Sequence, residues 1–234
     1  MVMNDIKWSI AEAAIRHVED GMIVGLGTGS TSELMVEALA KRVDGGLVVQ
    51  GVATSLKTEQ LADRLGIPLI PLDAIDHLDL IIDGIDQIDP AFSILKGGGG
   101  ALFREKIVAL YAREVIYMAD ESKFVARLQP HLLPIEIEPF GYRRLLDMLH
   151  ARGVKSNLRQ VAEKPFITDG GNWIIDVSLE NIPDVRHFSR EMKLATGVIE
   201  TGYFERQPDL VVTYRNGEIV EMTHPSLRRG GGPV

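Results

Sequence analysis

From residue 1 to about 127 the chain repeats one pattern: a short apolar run, a polar loop, then a segment with apolar residues every three or four positions. The runs are Met22–Gly25, Leu47–Ala53, Ile67–Leu72, Leu78–Asp83 and Val115–Ala119, with Ser32–Arg42 and Leu56–Leu65 among the helical segments between them. Such alternation is the signature of βαβ units around a parallel sheet. Ile81–Ile82 and Val48–Val49 are adjacent β-branched pairs, which fits strands covered on both faces. The pattern predicts an α/β fold: an open, mostly parallel, Rossmann-like sheet with helices on both faces.

A different texture begins near Pro130. Pro134–Pro139 alternates Ile and Glu, which reads as a strand with one wet face. Gly141–Ala151 is helical, with Leu145, Leu146 and Leu149 on one side. Strands are expected at Val154–Val161, Phe166–Thr168 and Trp173–Val177, the last two joined at Gly170-Gly171. Asp184–Ala195 reads as a helix and Val198–Phe204 as a strand. That order holds a β-α-β-β-α-β core plus one strand, predicting a smaller ferredoxin-like α+β domain. Asn216-Gly217 joins a closing hairpin of Leu210–Tyr214 and Glu218–Met222. The expected division is a Rossmann-like domain of residues 1–129 and 208–234 and a small domain of 130–207, with the tail Arg228–Val234 frayed.

Composition narrows the chemistry. Asp plus Glu number 33 against 25 Lys plus Arg, a net charge of -8, which argues against nucleic acid and anionic membranes as partners. The absence of Cys excludes disulfides, thiolate zinc sites and cysteine nucleophiles. No apolar stretch approaches the ~18 residues of a membrane helix. Met1–Trp8 lacks a secretory pattern, so a soluble, cytoplasmic protein is expected. The six histidines show no metal-ligand spacing, and no metal site is expected.

In an open α/β sheet the ligand sits beyond the carboxyl ends of the strands. The segments there are Gly25-Leu-Gly-Thr-Gly-Ser-Thr31, Thr54-Ser55, Asp83-Gly-Ile-Asp86-Gln-Ile-Asp89 and Asp120-Glu-Ser-Lys123. The first is neither a dinucleotide fingerprint, which needs Gly where Ser30 stands, nor a Walker A loop, which needs a Lys before its Ser or Thr. What remains is a strand-to-helix turn whose amides and three hydroxyls, Thr28, Ser30 and Thr31, suit a phosphate monoester. Taken alone it reads equally well as a capped tight turn. Asp83 and Asp86, with a spacing of three, do not match an EF-hand. Asp83 is placed to face the crevice, and Asp86 joins it if 84–87 makes a turn. By itself the pair reads more simply as an Asx turn.

Lys96-Gly-Gly-Gly-Gly100 leads into a helical segment, Ala101–Arg113. Four glycines in a row cost conformational entropy that a plain turn would not require, and they let backbone amides approach a ligand. Glu105 has Ala101, Leu102, Val108 and Ala109 as its helical neighbours, so it lies on an apolar face. A carboxylate there is a buried misfit, a paired structural charge or a base whose pKa is raised by desolvation. The combination points to proton transfer beside a carbonyl in a phosphorylated small molecule. Glu105 would remove the proton, and Lys96 with the loop amides would stabilise the oxygen that becomes negative.

These motifs together resemble the A type of ribose-5-phosphate isomerase. The likeness runs through Gly25–Thr31, Asp83-Gly-Ile-Asp86, Lys96–Ala101, Arg104-Glu-Lys106, Asp120–Lys123, Thr168-Asp-Gly-Gly-Asn172 and Glu200-Thr-Gly-Tyr-Phe204. It implies reversible interconversion of D-ribose 5-phosphate and D-ribulose 5-phosphate through a cis-enediolate, in the non-oxidative pentose phosphate pathway and without a cofactor. It also implies Glu105 as base, Lys96 with Gly97, Gly98 and Gly99 on the enediolate oxygens, and Asp83, Gly84 and Asp86 on the sugar, Asp83 assisting ring opening. Thr28, Gly29, Ser30, Thr31, Lys123 and Lys7 would hold the phosphate. A homodimer or homotetramer is implied too. Ile85 stands where the family usually has Ala, and Gln87 where it usually has Glu, which bears on substrate tightness. The rival readings are a related phosphosugar isomerase, for which no His falls in these segments, and a phosphosugar-sensing module. The latter would bring a helix-turn-helix and a basic patch that this acidic chain lacks.

Overall fold

The apolar runs become strands wherever their backbone can join a hydrogen-bonded ladder. In the computed structural model, which describes residues 3–128 and 131–223, the chain begins with α1 (Met3–Ala14), β1 (Ile23–Leu26), α2 (Ser30–Asp44), β2 (Gln50–Ala53) and α3 (Leu56–Arg64). It continues with β3 (Leu78–Gly84), β4 (Gln87–Ile88), β5 (Ile94–Leu95), α4 (Leu102–Tyr111) and β6 (Ala112–Ala119). Next come β7 (Leu132–Ile137), α5 (Tyr142–Ala151), β8 (Ser156–Leu158), β9 (Gln160–Val161) and β10 (Lys164–Pro165). Then follow β11 (Trp173–Ser178), α6 (Val185–Lys193), β12 (Val198–Thr201), β13 (Tyr203–Phe204), β14 (Leu210–Arg215) and β15 (Glu218–Thr223). Two compact units result: Met1–Ile85 with Arg104–Phe124 and Arg206–Val234, and Asp86–Phe103 with Val125–Glu205. Pro130 and the tail 228–234 lie outside the described residues.

The first unit is built on one sheet in the order β15-β14-β6-β3-β1-β2. All its strands are parallel except β15, which closes the edge against β14. The hairpin turn uses Asn216 and Gly217 at positive φ, as its dipeptide predicts. Alternate residues of the central strands face opposite ways. Leu80, Ile82, Ile116, Met118 and Val212 pack with Ile10 of α1 and Met35 and Leu39 of α2, each such side chain contributing about 1.5–3 kcal/mol by burial. On the other face Ile81 meets α4: a Cβ on Gly25 would lie 2.8 Å from Ile81 and 3.0 Å from Val108. Helices therefore cover both faces, and Ile81 and Ile82 are both fully buried.

Two expectations for this unit are corrected. Ile67–Leu72 is not a strand but makes one bridge, Leu69 with Gly51, because Pro68 and Pro71 cannot donate to a ladder. Val48 is 68% exposed and β2 starts only at Gln50, so Val48–Val49 is not a pair covered on both sides.

The second unit carries a four-stranded antiparallel sheet in the order β12-β7-β11-β8. With α5 and α6 as crossovers this is the 4-1-3-2 arrangement of a β-α-β-β-α-β ferredoxin-like fold. Its core gathers Leu133, Ile135 and Ile137 with Leu145, Leu149, Phe188 and Met192. β7 has no wet face over 133–137. Glu136 is buried because its Oε1 accepts from Thr168 Oγ1 at 2.8 Å and Asn172 Nδ2 at 2.9 Å. Those bonds shape 168–172 into a turn, so Phe166–Thr168 is not a strand. Val154–Val161 divides at Arg159, and Val198–Phe204 divides at Gly202. The piece after that division, β13, joins a separate small sheet, β13-β5-β4. Among the described residues no helix is long and apolar enough to cross a membrane.

Candidate active site

The strand order places β1 between β2 and β3, so the chain leaves β1 toward one side and returns on the other. At such a switch point the loops after the strands part and leave a crevice. The loop after β1 is pressed onto β3. Gly27 donates its N–H to Ile82 O at 3.0 Å, and a Cβ there would lie 2.1 Å from Asp83 Oδ1 and 2.6 Å from its Cα. Only glycine fits. Asp83 is 0% exposed, and its Oδ1 accepts from Thr28 N–H at 3.0 Å, Gly84 N–H at 2.7 Å and Ser32 Oγ at 3.2 Å.

Thr28 is turned into the protein. Its hydroxyl is bonded to Thr54 (2.7 Å), Ser55 (2.8 Å) and Thr58 (3.2 Å), while Thr58 also donates to Gly27 O at 2.9 Å. Gly29, at φ +115°, opens α2. The N–H groups of Ser30, Thr31 and Ser32 precede the first intrahelical bond, Glu33 N–H to Gly29 O at 2.8 Å, which makes this helix start a place for an anion. Lys7 Nζ, from α1, donates to Ser30 Oγ at 2.8 Å and brings a cation there. Lys123 ends the short turn after β6, two strands over from β1. Its turn is fixed by Asp120 Oδ1, which accepts from Ser122 N–H at 3.0 Å.

Glu105 occupies the first turn of α4 and is 4% exposed. Leu102, Val108 and Ala109 beside it are buried, as its spacing predicts. Gly25, by lacking a side chain, lets Val108 rest on the sheet, and Glu105 is one turn earlier on that face. Ile85 is buried too.

The remaining candidates belong to the second unit, where Asp86 lies although Asp83 is three residues away in the first. Asp86 N–H donates to Leu95 O at 2.9 Å, and its Oδ2 accepts from Gly98 N–H at 2.7 Å. Lys96 is 2% exposed. Its N–H donates to Gly202 O at 2.9 Å, and its ammonium lies 5.6 Å from the Phe204 ring centre, within cation–π range. Gly97, at φ +104°, has no room for a Cβ between Leu102 and Pro134. Gly100 N–H closes the turn on Gly97 O at 3.1 Å, and Gly98 and Gly99 are exposed. Arg159, Asp176 and Phe166, which the sequence reading does not single out, surround this loop. So do Ser32 and Thr58 around Asp83 and Thr28. Ser32 carries a signal, being one residue beyond a hydroxyl-rich turn; Arg159 and Asp176 carry none. Among the described residues no group of three or more His, Asp or Glu side chains could hold a metal ion.

The family model for ribose 5-phosphate isomerase A (phosphoriboisomerase A) matches residues 50–217. The ribose-5-phosphate isomerase A of Sphingopyxis alaskensis is 44% identical over 214 residues, 92% of this chain and 93% of that one. The Rhizobium etli protein of the same name is 47% identical over 218 residues, 91% and 94% of the two chains. The solved ribose 5-phosphate isomerase A of Methanocaldococcus jannaschii superposes with a TM-score of 0.89 at 36% identity, over 95% of this chain and all of that one. A D-ribose-5-phosphate isomerase solved in complex with phospho-erythronic acid reaches 0.90 at 34% identity, with 95% and 100% coverage. With the fold matched over nearly its whole length and the motifs in order, this chain belongs to the ribose 5-phosphate isomerase A family, aldose–ketose isomerases that interconvert ribose 5-phosphate and ribulose 5-phosphate.

Proposed function

We propose that Glu105 is the base of this isomerisation and that the other candidates divide between the enediolate, the sugar and the phosphate. Glu105 takes the proton from C2 of the open-chain aldose as electrons move onto the C1 oxygen, forming a cis-enediolate. Return of a proton to C1, with the hydroxyl proton passing from O2 to O1, gives the ketose. Lys96 and the amides of Gly97–Gly99 hold the two oxygens. Asp83, Gly84 and Asp86 bind sugar hydroxyls, and Asp83 assists ring opening. Thr28–Thr31, Lys7 and Lys123 hold the phosphate. A positioned base typically contributes about 10²–10⁴-fold, and each aimed donor about 10²–10³-fold.

The observation that carries this reading is Glu105, a carboxylate buried among apolar neighbours on a helix that Gly25 lets onto the sheet. Phospho-erythronic acid, seen in the relative, fits it. That compound is a phosphorylated acid, and its carboxylate offers two oxygens on one carbon much as an enediolate offers two on neighbouring carbons. We further propose a cofactor-free enzyme of the cytoplasm that works as a homodimer or homotetramer, the latter point being measurable by sedimentation.

The test is conversion of ribose 5-phosphate by the purified protein in EDTA, with Glu105→Gln alongside. We expect full turnover in EDTA and a loss of about 10³-fold in kcat for the variant, with inorganic phosphate bound as before. A variant that turns over normally would remove Glu105 from the mechanism.

A further inference from the structure

We infer that Arg159 is a positioning residue for the isomerisation, its guanidinium fixing the glycine loop so that the N–H groups of Gly98 and Gly99 face the oxygens of the enediolate. The inference rests on the role proposed above for that loop.

Arg159 follows β8 and is first held by its own backbone. Its N–H donates to Ile174 O at 2.7 Å, and its carbonyl accepts from Phe166 N–H at 2.9 Å. Nε and Nη2 then form a two-pronged pair with Asp176 of β11, at 2.9 and 2.5 Å. The two side chains are only 16% and 19% exposed. A guanidinium is planar, so locking one edge on a carboxylate fixes where the remaining nitrogen points. That nitrogen, Nη1, donates to Gly97 O at 2.8 Å and to Gly98 O at 3.1 Å.

Two consecutive carbonyls thus converge on one cation. A trans peptide carries its C=O and N–H on opposite sides. Drawing the carbonyls of Gly97 and Gly98 toward Nη1 therefore turns the N–H groups of Gly98 and Gly99 the other way. The Gly98 N–H marks that direction and already carries an anionic oxygen there, donating to Asp86 Oδ2 at 2.7 Å, so an enediolate oxygen takes the place of that carboxylate oxygen when substrate binds. Successive amides aimed to one side form a concavity that favours anionic oxygen. Four glycines have more backbone freedom than any other four residues, and donors act on a transition state at little cost only when already oriented. Arg159 supplies that orientation from behind the loop.

The experiment compares wild type with Arg159→Lys, Arg159→Ala and Asp176→Asn. The readouts are kcat and KM separately, thermal unfolding, and calorimetric binding of phospho-erythronic acid and of inorganic phosphate. Lysine keeps the charge but cannot span Asp176 and two carbonyls together. Arg159→Lys should therefore lose about 10²-fold in kcat with KM changed by less than about threefold, the signature of support given only in the transition state. Affinity for phospho-erythronic acid should fall in step with kcat/KM while inorganic phosphate binds as in wild type. Millimolar guanidinium should restore part of the Arg159→Ala activity. If Arg159→Lys keeps wild-type kcat, or loses activity only in proportion to its unfolded fraction with phospho-erythronic acid bound normally, Arg159 is a structural residue and the inference falls. Should Arg159→Ala fail to fold, Arg159→Lys and Asp176→Asn decide on the same criteria. The acid's binding needs no turnover, so it reads the loop whether or not Glu105 is the base, and failure of the base assignment and failure of this inference are distinguishable.

Discussion

Asp83 and the glycine loop are each gripped by several hydrogen bonds, but the supports differ in kind. Around Asp83 two of the three donors to Oδ1 are backbone N–H groups, of Thr28 and Gly84. They arrive with the parallel pairing of β1 and β3. Around the loop, beyond the backbone bonds of Lys96 and Gly100, the supports are side chains: the Arg159 fork, the Asp86 carboxylate and the Phe166 ring. The Arg159 fork arrives through antiparallel register, in which Asp176 opposes Asn157 and Arg159 follows two residues on. Backbone support tolerates changes of side chain and fails when an atom is added where chains touch. Side-chain support fails when atoms are removed. The two regions should therefore respond oppositely to gain and loss of bulk.

The largest effect expected from this contrast comes from adding one carbon. Gly27→Ala would place a methyl 2.1 Å from Asp83 Oδ1 and 2.6 Å from its Cα, so β1 and β3 must part at that end. We expect a loss of about 10²–10³-fold in kcat/KM and a destabilisation of about 1–3 kcal/mol from overpacking. Kinetics and urea unfolding measure these. Wild-type kcat/KM would mean that Asp83 tolerates displacement and that the close approach has no catalytic purpose.

The same contrast explains what could be read from the amino-acid sequence. Thr28 and Asp83 are legible because α/β sheets place ligands at strand ends by a general rule, and Glu105, in the first turn of α4, because helical spacing assigns its face. Lys96 and its glycines stand out by composition. Arg159 and Asp176 do not, since a charged pair seventeen positions apart in strand-like segments reads as ordinary surface. Only the register of β8 on β11 gives it a target. The division at Gly202 was similarly hidden. A Cβ there would lie 2.3 Å from the Lys96 carbonyl, so glycine lets β13 leave one sheet for another. Glycine within a strand pattern is a known sign of close backbone approach, and here it is the one local clue. Glu136 misled in a different way: its alternation with Ile looks amphipathic until Thr168 and Asn172 supply its bonds.

A smaller effect is expected from removing bulk at the loop. The Phe166 ring lies where a Gly100 Cβ would stand, 2.3 Å from two of its atoms, and 5.9 Å from the Arg159 guanidinium. Phe166→Ala should lower kcat about tenfold by loosening the loop. The half-buried ring should also cost about 1–2 kcal/mol of stability, below the range for a fully buried Phe. Phe166→Leu, which keeps most of the bulk, should recover most of the rate. If alanine and leucine are equally impaired, the ring acts through its stacking on Arg159 rather than by filling space.

The smallest effect separates loop geometry from the stability of the unit that bears it. Arg152 pairs with Glu191 of α6 through two contacts, at 2.9 and 2.8 Å, and its hydrogen bond holds the Glu191 carboxyl below the usual carboxylate range. Lys155 does the same to Glu180. For such groups the unfolded chain binds more protons, so their stabilisation is complete above the ordinary carboxylate pKa and is lost as pH falls through the lower folded value. Both pairs are exposed to solvent, where screening and the ordering of two long side chains leave an ion pair little net worth. Glu191→Gln should therefore flatten the acid limb of the stability profile slightly and leave kcat at neutral pH unchanged. That null effect on rate is informative beside Arg159→Lys. If weakening the α5–α6 surface lowered kcat as well, the loop would be reporting the firmness of its whole unit, and the particular hold of Arg159 on two carbonyls would lose its meaning. If kcat stays constant while stability falls, the loop is set by its immediate supports, which is what a guanidinium fixed between one carboxylate and two peptide oxygens requires.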